Sequence, residues 1–255
     1  MTQRRRHPYL DHDGPIAFAH RGGTSAAPEN SMRAFQHAIG LGYRYIETDV
    51  HATRDGVLVA FHDDDLKRTC GINRTIAESS VSELQDVLID GTDPIPLLED
   101  LIGSWPDIRI NIDCKSESAL QPLIAAIRRT NSIHRVCIGS FSDSRLQRIR
   151  AALGDMACTS MAPREVARFL ASSTIRVPFT PPQTMHIAQV PVNQSKIPIV
   201  TKRSIEWAHR IGLDVHVWTI NDPLEMSNLL DLGVDGIMTD DTLALRDVFS
   251  ARGLW

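Results

Sequence analysis

The sequence predicts an α/β chain folded as a (β/α)8 TIM barrel, with a small, partly helical insertion after the third strand-like segment. Eight short β-branched or apolar segments recur through the 255 residues, most of them followed by a helical pattern. Alternation of this kind calls for a parallel sheet with helices outside it, and units of this length suit closure into a barrel. The residues able to do chemistry gather at the ends of those segments, where a barrel builds its active site. A doubly wound open sheet is the runner-up. No Gly-x-Gly-x-x-Gly follows the first segment to favour a dinucleotide fold.

Residues 1–14 are polar and patternless and are expected to be a tail; residues 15–255 then form a single domain. Ile16-Ala17-Phe18-Ala19 is a short apolar strand that runs straight into the loop His20-Arg21-Gly22-Gly23. Ala27-Pro28-Glu29-Asn30-Ser31 leads into a helix with Phe35, Ala38 and Ile39 on one side and Gly42 at its end. Residues 43–50 make the second strand. Arg54-Asp55-Gly56 is a hairpin turn, because Asp-Gly tolerates the backbone angles such a turn needs, and 57–61 is the return arm. Residues 63–105 break the rhythm and are expected to be the insertion, outside the core.

Strands resume at 108–113, 136–140, weakly at 157–160, then at 187–192, 215–219 and 236–240, which closes the series. Between them, one helix carries Leu120, Leu123, Ile124 and Ile127, and another carries Leu146, Ile149 and Leu153. Pro163 suits a first helical residue. Residues 173–184 are rich in Ser, Thr and Pro and read as a loop. A helix spans about 201–211, and Asp222-Pro223-Leu224-Glu225 opens another that ends at Gly233.

With 23% charged and 42% hydrophobic residues the chain reads as globular. A net charge of −4 gives no case for nucleic acid or an anionic membrane surface. The one basic cluster, Arg4-Arg5-Arg6, lies at the terminus. No apolar run approaches spanning length, so no stable membrane insertion is expected. No hydrophobic stretch follows the arginines, so a cytoplasmic location is expected. Cys70, Cys114, Cys137 and Cys158 match no zinc spacing and are expected to be reduced thiols. The oligomeric state stays open.

Residues two apart on a strand share a face, so Glu47 and Asp49 point together. Two buried carboxylates repel each other and are expensive to desolvate. A hard divalent cation, Mg²⁺ or Ca²⁺, relieves both problems; a surface hairpin with solvated acids is the alternative. The hairpin returns His62 to about the level of Asp49. His20 and Arg21 end the first strand. Asp113 and Lys115 are also two apart, so both point inward while Cys114 points out, and Asp113 supplies a third carboxylate. Trp218, at a late strand end, suits either core or substrate wall.

Two histidines, two cations and three acids make sense for phosphoryl chemistry. A metal and the cationic side chains neutralise phosphate oxygens, and two histidines divide acid and base roles near neutral pH. Asp63, Asp64 and Asp65 resemble a ligand cluster, but such runs usually sit in a solvated loop.

Taken together, the motifs make the chain similar to the glycerophosphodiester phosphodiesterase family. They are His20-Arg21-Gly22-Gly23, Pro28-Glu29-Asn30-Ser31, Glu47-Thr48-Asp49-Val50, Thr53-Arg54-Asp55-Gly56, His62-Asp63, Pro96-Leu97-Leu98-Glu99, Asp113-Cys114-Lys115, Val217-Trp218-Thr219-Ile220-Asn221 and the stretch from Gly233 to Asp240. They occur in family order from about residue 16 to 241. The resemblance implies a barrel with a small insertion after the histidine hairpin. It also implies hydrolysis of a glycerophosphodiester to sn-glycerol 3-phosphate and an alcohol with one divalent metal ion.

By motif, Glu47, Asp49 and Asp113 would bind the metal, and His20 and His62 would be general acid and base. Arg21 and Lys115 would hold phosphate, and Trp218 would wall the glycerol side. A glycerol hydroxyl would act as internal nucleophile through a cyclic phosphate. Asp113 departs from the family, which usually has glutamate there. Two rivals are kept. One is lysophospholipase D-type cleavage, with an acyl groove supplied by the insertion or by the loop 173–184. The other is a non-catalytic phosphodiester-binding barrel.

Overall fold

The computed structural model describes residues 7–175, 177–195 and 197–255, so the Arg4-Arg5-Arg6 cluster lies outside the described residues. Its strands are β1 (Ile16–Ala19), β2 (Tyr45–Ala52), β3 (Leu58–Ala60), β4 (Leu88–Ile89), β5 (Asp93–Pro94), β6 (Arg109–Cys114), β7 (Val136–Gly139), β8 (Ile187–Val190), β9 (Asn193–Gln194), β10 (Ile197–Pro198), β11 (Asp214–Val217) and β12 (Gly236–Thr239). Its helices are α1 (Met32–Gly40), α2 (Lys67–Cys70), α3 (Val81–Leu84), α4 (Leu98–Ser104), α5 (Leu120–Arg129), α6 (Asp143–Leu153), α7 (Pro163–Ile175), α8 (Lys202–Arg210), α9 (Pro223–Leu232) and α10 (Thr242–Ala251).

The sheet runs β7-β6-β2-β1-β12-β11-β8, parallel throughout, with the return arm β3 antiparallel on β2. The weak segment 157–160 joins its two edges. Thr159 bridges to Ile138 on one side and to Met185 on the other, both in parallel register. The sheet thus closes on itself, as a (β/α)8 barrel requires.

Period-two alternation sorts the side chains. On β6, Ile110, Ile112 and Cys114 pack into the large core between strands and helices, while Asn111 and Asp113 face the interior. At the N-terminal end of the strands, Ile16, Phe18, Tyr45, Cys137, Cys158, Ile187 and Met238 fill the floor. Glu47, Asp49 and Asp113 lie further along their strands, toward the mouth, whereas His216 is a buried polar residue against Phe18 at the floor. Helix caps follow the sequence signals: Ser31, Thr201 and Asp222 accept from backbone N–H groups in the first turns of α1, α8 and α9, and Gly233 ends α9 in a left-handed conformation.

Four expectations differ from the structure. The tail is shorter than residue 14, because a 3-10 turn over Pro8–Leu10 buries Tyr9 and Leu10 under the floor. Tyr9 is fully buried, packs edge-on against Tyr45 and accepts a hydrogen bond from the Tyr45 hydroxyl at its carbonyl (2.7 Å). The insertion ends before 105, because Leu98, Leu101 and Ile102 of α4 lie in the main core, making α4 a barrel helix. The insertion keeps a small core of its own, in which Leu66, Ile76, Leu84 and Ile89 pack on Val59 and Phe61 of the hairpin.

The strand series is also followed by one more helix, α10, capped by Asp241 and anchored by Leu245 and Phe249. Finally, α7 extends to Ile175, and the segment after it leads into the start of β8. That places the 177–186 connection on the floor side, away from the mouth, so it lines no groove there.

Tyr9→Ala should destabilise the protein by about 3–5 kcal/mol, the usual loss for truncating a buried aromatic. Urea unfolding followed by circular dichroism measures it. A loss below about 1 kcal/mol would mean that the floor is sealed without this residue.

Candidate active site

The mouth is assembled from strand ends and the loops that leave them. After β1 the chain turns sharply. Arg21 adopts a positive φ of 53°, and Gly22 and Gly23 have φ of 82° and 81°. A Cβ on Gly22 would come within 2.8 Å of the Phe35 backbone nitrogen, so only glycine lets this loop lie against α1. The turn points the Arg21 N–H at Glu47, whose Oε2 accepts it at 3.1 Å.

Glu47, Asp49 and Asp113 are all buried, and Asp49 and Asp113 are register partners on β2 and β6. Lys115 Nζ bridges this pair at 3.0 Å to each. Arg21 Nε reaches Asp49 Oδ2 at 3.1 Å, and Asn30, also at positive φ, donates to the same oxygen at 3.4 Å. Asn30 is itself fixed by a 2.8 Å bond from Thr48.

Burial, with Asp49 and Asp113 nearby, pushes the Glu47 carboxyl up to about 7. Burial also raises Asp113, against the pull of Lys115. Asp113 Oδ1 is buried with no hydrogen-bond partner among the described residues. Both features mark a site short of positive charge, and the hard oxygen donors suit a divalent cation. Among the described residues no three acidic, histidine or cysteine side chains converge as a ready-made cage; Lys115 now holds Asp49 and Asp113 together.

Each histidine is held by an aspartate. His20 Nδ1 donates to Asp240 Oδ1 at 2.6 Å, and its Nε2 faces Glu47 Oε2 at 3.7 Å. Burial disfavours the His20 imidazolium, but Glu47 and the Asp240 bond outweigh it and its pKa is raised. His62 Nδ1 donates to Asp63 Oδ1 at 2.6 Å. The return arm pairs Val50 with Ala60, and Phe61 N–H donates to the Asp49 carbonyl, so His62 stands within one residue of the level of Asp49. The turn is made by Gly56, with φ of 80°, whose N–H bonds to the Thr53 carbonyl.

Trp218 directly follows β11 and meets Phe141 edge-on at 5.9 Å, while Lys115 Nζ lies 5.5 Å from the Phe141 ring centre. The structure therefore gathers Glu47, Asp49, Asp113, His20, Arg21 and Lys115 into one contact network, with Trp218 joined through Phe141. The His62 side chain is linked to it through a longer chain. Asp63 Oδ2 accepts from Arg68 Nε at 2.6 Å, Arg68 holds Glu29, and Glu29 holds Arg21.

Reading Asp63 as a solvated loop residue is corrected here, because it bonds both His62 and Arg68; its neighbour Asp64 is solvent-exposed, 90% at the side chain. Glu29, Asn30, Arg68, Phe141 and Asp240 received no role from sequence. Asp240 alone had a usable signal, since a closed barrel must pair its first and last strands, and β1 does pair with β12.

Comparison with known proteins gives this geometry a lineage. Residues 20–244 match the model of the "Glycerophosphoryl diester phosphodiesterase family". The chain belongs to the glycerophosphoryl diester phosphodiesterase family. The chain is accordingly a phosphodiester-hydrolysing enzyme. "Probable glycerophosphodiester phosphodiesterase 2" of Mycobacterium tuberculosis is 39% identical over 251 residues, 97% of this chain and 95% of that one.

The human protein named lysophospholipase D GDPD1 is 29% identical over 97% of this chain and 88% of its own. Two solved structures share the fold. A Silicibacter pomeroyi protein has a TM-score of 0.79 at 21% identity, covering 98% of this chain and 99% of that one. An Oleispira antarctica phosphodiesterase, in complex with sn-glycerol-3-phosphate, has a TM-score of 0.75 at 22% identity, covering 93% and 97%.

Asp240→Asn removes the carboxylate that favours protonated His20. In metal-free protein the His20 pKa should fall, read from its ring proton shifts by NMR titration. An unchanged or higher pKa would show that Asp240 does not charge-stabilise this ring.

Proposed function

We propose that the enzyme hydrolyses a glycerophosphodiester to sn-glycerol 3-phosphate and an alcohol, with His20 and His62 as the proton-transfer pair. The observation that carries this reading is the pair of Asp–His dyads. Each imidazole donates its Nδ1 proton to an aspartate at 2.6 Å, which leaves Nε2 as the basic nitrogen. Simple binding of a phosphodiester has no need of two such groups.

Arg21 and Lys115 supply positive charge for the phosphate oxygens. In the first half-reaction one histidine takes the proton of the glycerol hydroxyl next to the phosphoester as its oxygen bonds to phosphorus. The other histidine gives a proton to the departing alcohol oxygen as its bond to phosphorus breaks. The roles reverse as water opens the cyclic phosphate, restoring the glycerol hydroxyl. Holding nucleophile and phosphorus in one molecule makes the first attack efficient.

Glu47, Asp49 and Asp113 would hold one divalent cation, Mg²⁺ or Ca²⁺. Such an ion supplies Lewis-acid neutralisation of phosphate charge. Lys115 then has two tasks, pairing with Asp49 and Asp113 and facing the substrate. Trp218 walls the glycerol side.

A second reading keeps the site and extends the substrate to lysophospholipids. Phe141, 65% exposed beside Trp218, offers apolar surface at the mouth for an acyl chain.

His20→Ala and His62→Ala should each lower release of sn-glycerol 3-phosphate from glycerophosphocholine by about 10²- to 10⁴-fold, with the melting temperature retained. Near-normal turnover in either variant would remove that residue from the proton-transfer pair. Faster cleavage of lysophosphatidylcholine than of glycerophosphocholine would select the lysophospholipid reading.

A further inference from the structure

Arg68 lies in α2, within the insertion, yet its guanidinium reaches back to the mouth. On one side Nε donates to Asp63 Oδ2 at 2.6 Å and Nη2 to Asp63 Oδ1 at 3.2 Å. On the other, Nη2 donates to Glu29 Oε1 at 2.6 Å and Nη1 to Glu29 Oε2 at 3.1 Å. Both carboxylates are partly buried and each has a second partner in the site. Asp63 accepts from His62 Nδ1, and Glu29 Oε1 accepts from Arg21 Nη1 at 3.0 Å. One guanidinium thus spans the two carboxylates that hold His62 and Arg21.

An exposed ion pair usually contributes little, and the Arg68 side chain is 48% exposed. Its geometry separates it from that class. Four hydrogen bonds form two forked pairs, and only a planar guanidinium can present both forks at once; a lysine ammonium cannot. Asp63 is the immediate neighbour of His62, and a side chain there is free to rotate away from Nδ1 unless its other oxygen is anchored. Arg68 is that anchor.

We propose that Arg68 is a positioning residue. It locks Asp63 on His62 Nδ1 and Glu29 on Arg21, so the insertion sets the alignment of the proton-transfer and phosphate-holding groups. This rests on the roles given above to His62 and Arg21. Its consequence is that the insertion acts on the site through Arg68 without touching substrate.

Arg68→Ala should lower kcat about 10- to 100-fold, the effect of misaligning a proton-transfer group rather than losing it. KM should move by less than about threefold. Guanidinium ion at millimolar concentration should restore part of the activity of Arg68→Ala and none of that of His62→Ala. Arg68→Lys, which keeps the charge but not the fork, should stay impaired. Adding Asp63→Asn to Arg68→Ala should cause little further loss, because both act through His62.

Two results would overturn the proposal. One is unchanged kcat in Arg68→Ala. The other is a raised KM with kcat retained, which would make Arg68 a substrate contact. If the wild-type protein turns over no phosphodiester, the functional reading fails separately, and ¹⁵N NMR of the His62 ring still decides the question. The Nδ1–H tautomer should dominate in the wild type and give way to a mixture in Arg68→Ala. An unchanged tautomer would refute the anchoring.

Discussion

Three carboxylates buried side by side govern this structure. Glu47, Asp49 and Asp113 stand on two adjacent strands at the barrel mouth, all nearly inaccessible to water. Such a cluster is unfavourable unless positive charge or hydrogen-bond donors surround it. The chain meets this demand from several directions: Lys115 from just past the end of the strand that carries Asp113, Arg21 and its backbone N–H from the loop after β1, and Asn30 from the entry to α1. Compensation is incomplete, as the raised Glu47 carboxyl and the unpartnered Asp113 oxygen show.

The rest of the fold serves to hold that cluster and its two histidines. Closure through Thr159 and the pairing of β1 with β12 bring Asp240 to His20 across 220 residues. The hairpin returns His62 to the level of Asp49, and the insertion rests its own small core on that hairpin. At the opposite end Tyr9 packs into the floor, where the side chains are mostly apolar and the buried His216 lies against Phe18. The division of the barrel into an apolar floor and a charged mouth follows from where polar residues fall along each strand.

Much of this was legible from local pattern. Period two puts Glu47 with Asp49 and Asp113 with Lys115, and Asp-Gly marks the hairpin. Other features carry no local signal. Partners distant in sequence, such as Asp240 for His20, become visible only once closure is assumed. Arg68 sits in a short helix with no periodicity, and its partners Asp63 and Glu29 come from separate loops, so no spacing announces them. Tyr9 and Leu10 look like part of a polar tail because two apolar residues after a proline form no repeat, although tertiary packing gives them a fixed place. The helical pattern of α4 blends into the insertion because it follows an irregular stretch without a break in composition, and α10 lies beyond the last strand of the series.

The central claim is that the buried carboxylates are completed by a divalent cation. Isothermal titration of metal-stripped protein with Mg²⁺ and, separately, Ca²⁺ tests it most directly. The account predicts saturable binding of a single ion per chain by at least one of them, lost in Glu47→Gln and Asp113→Asn. Heats indistinguishable from dilution for both ions, with and without sn-glycerol 3-phosphate present, would contradict it.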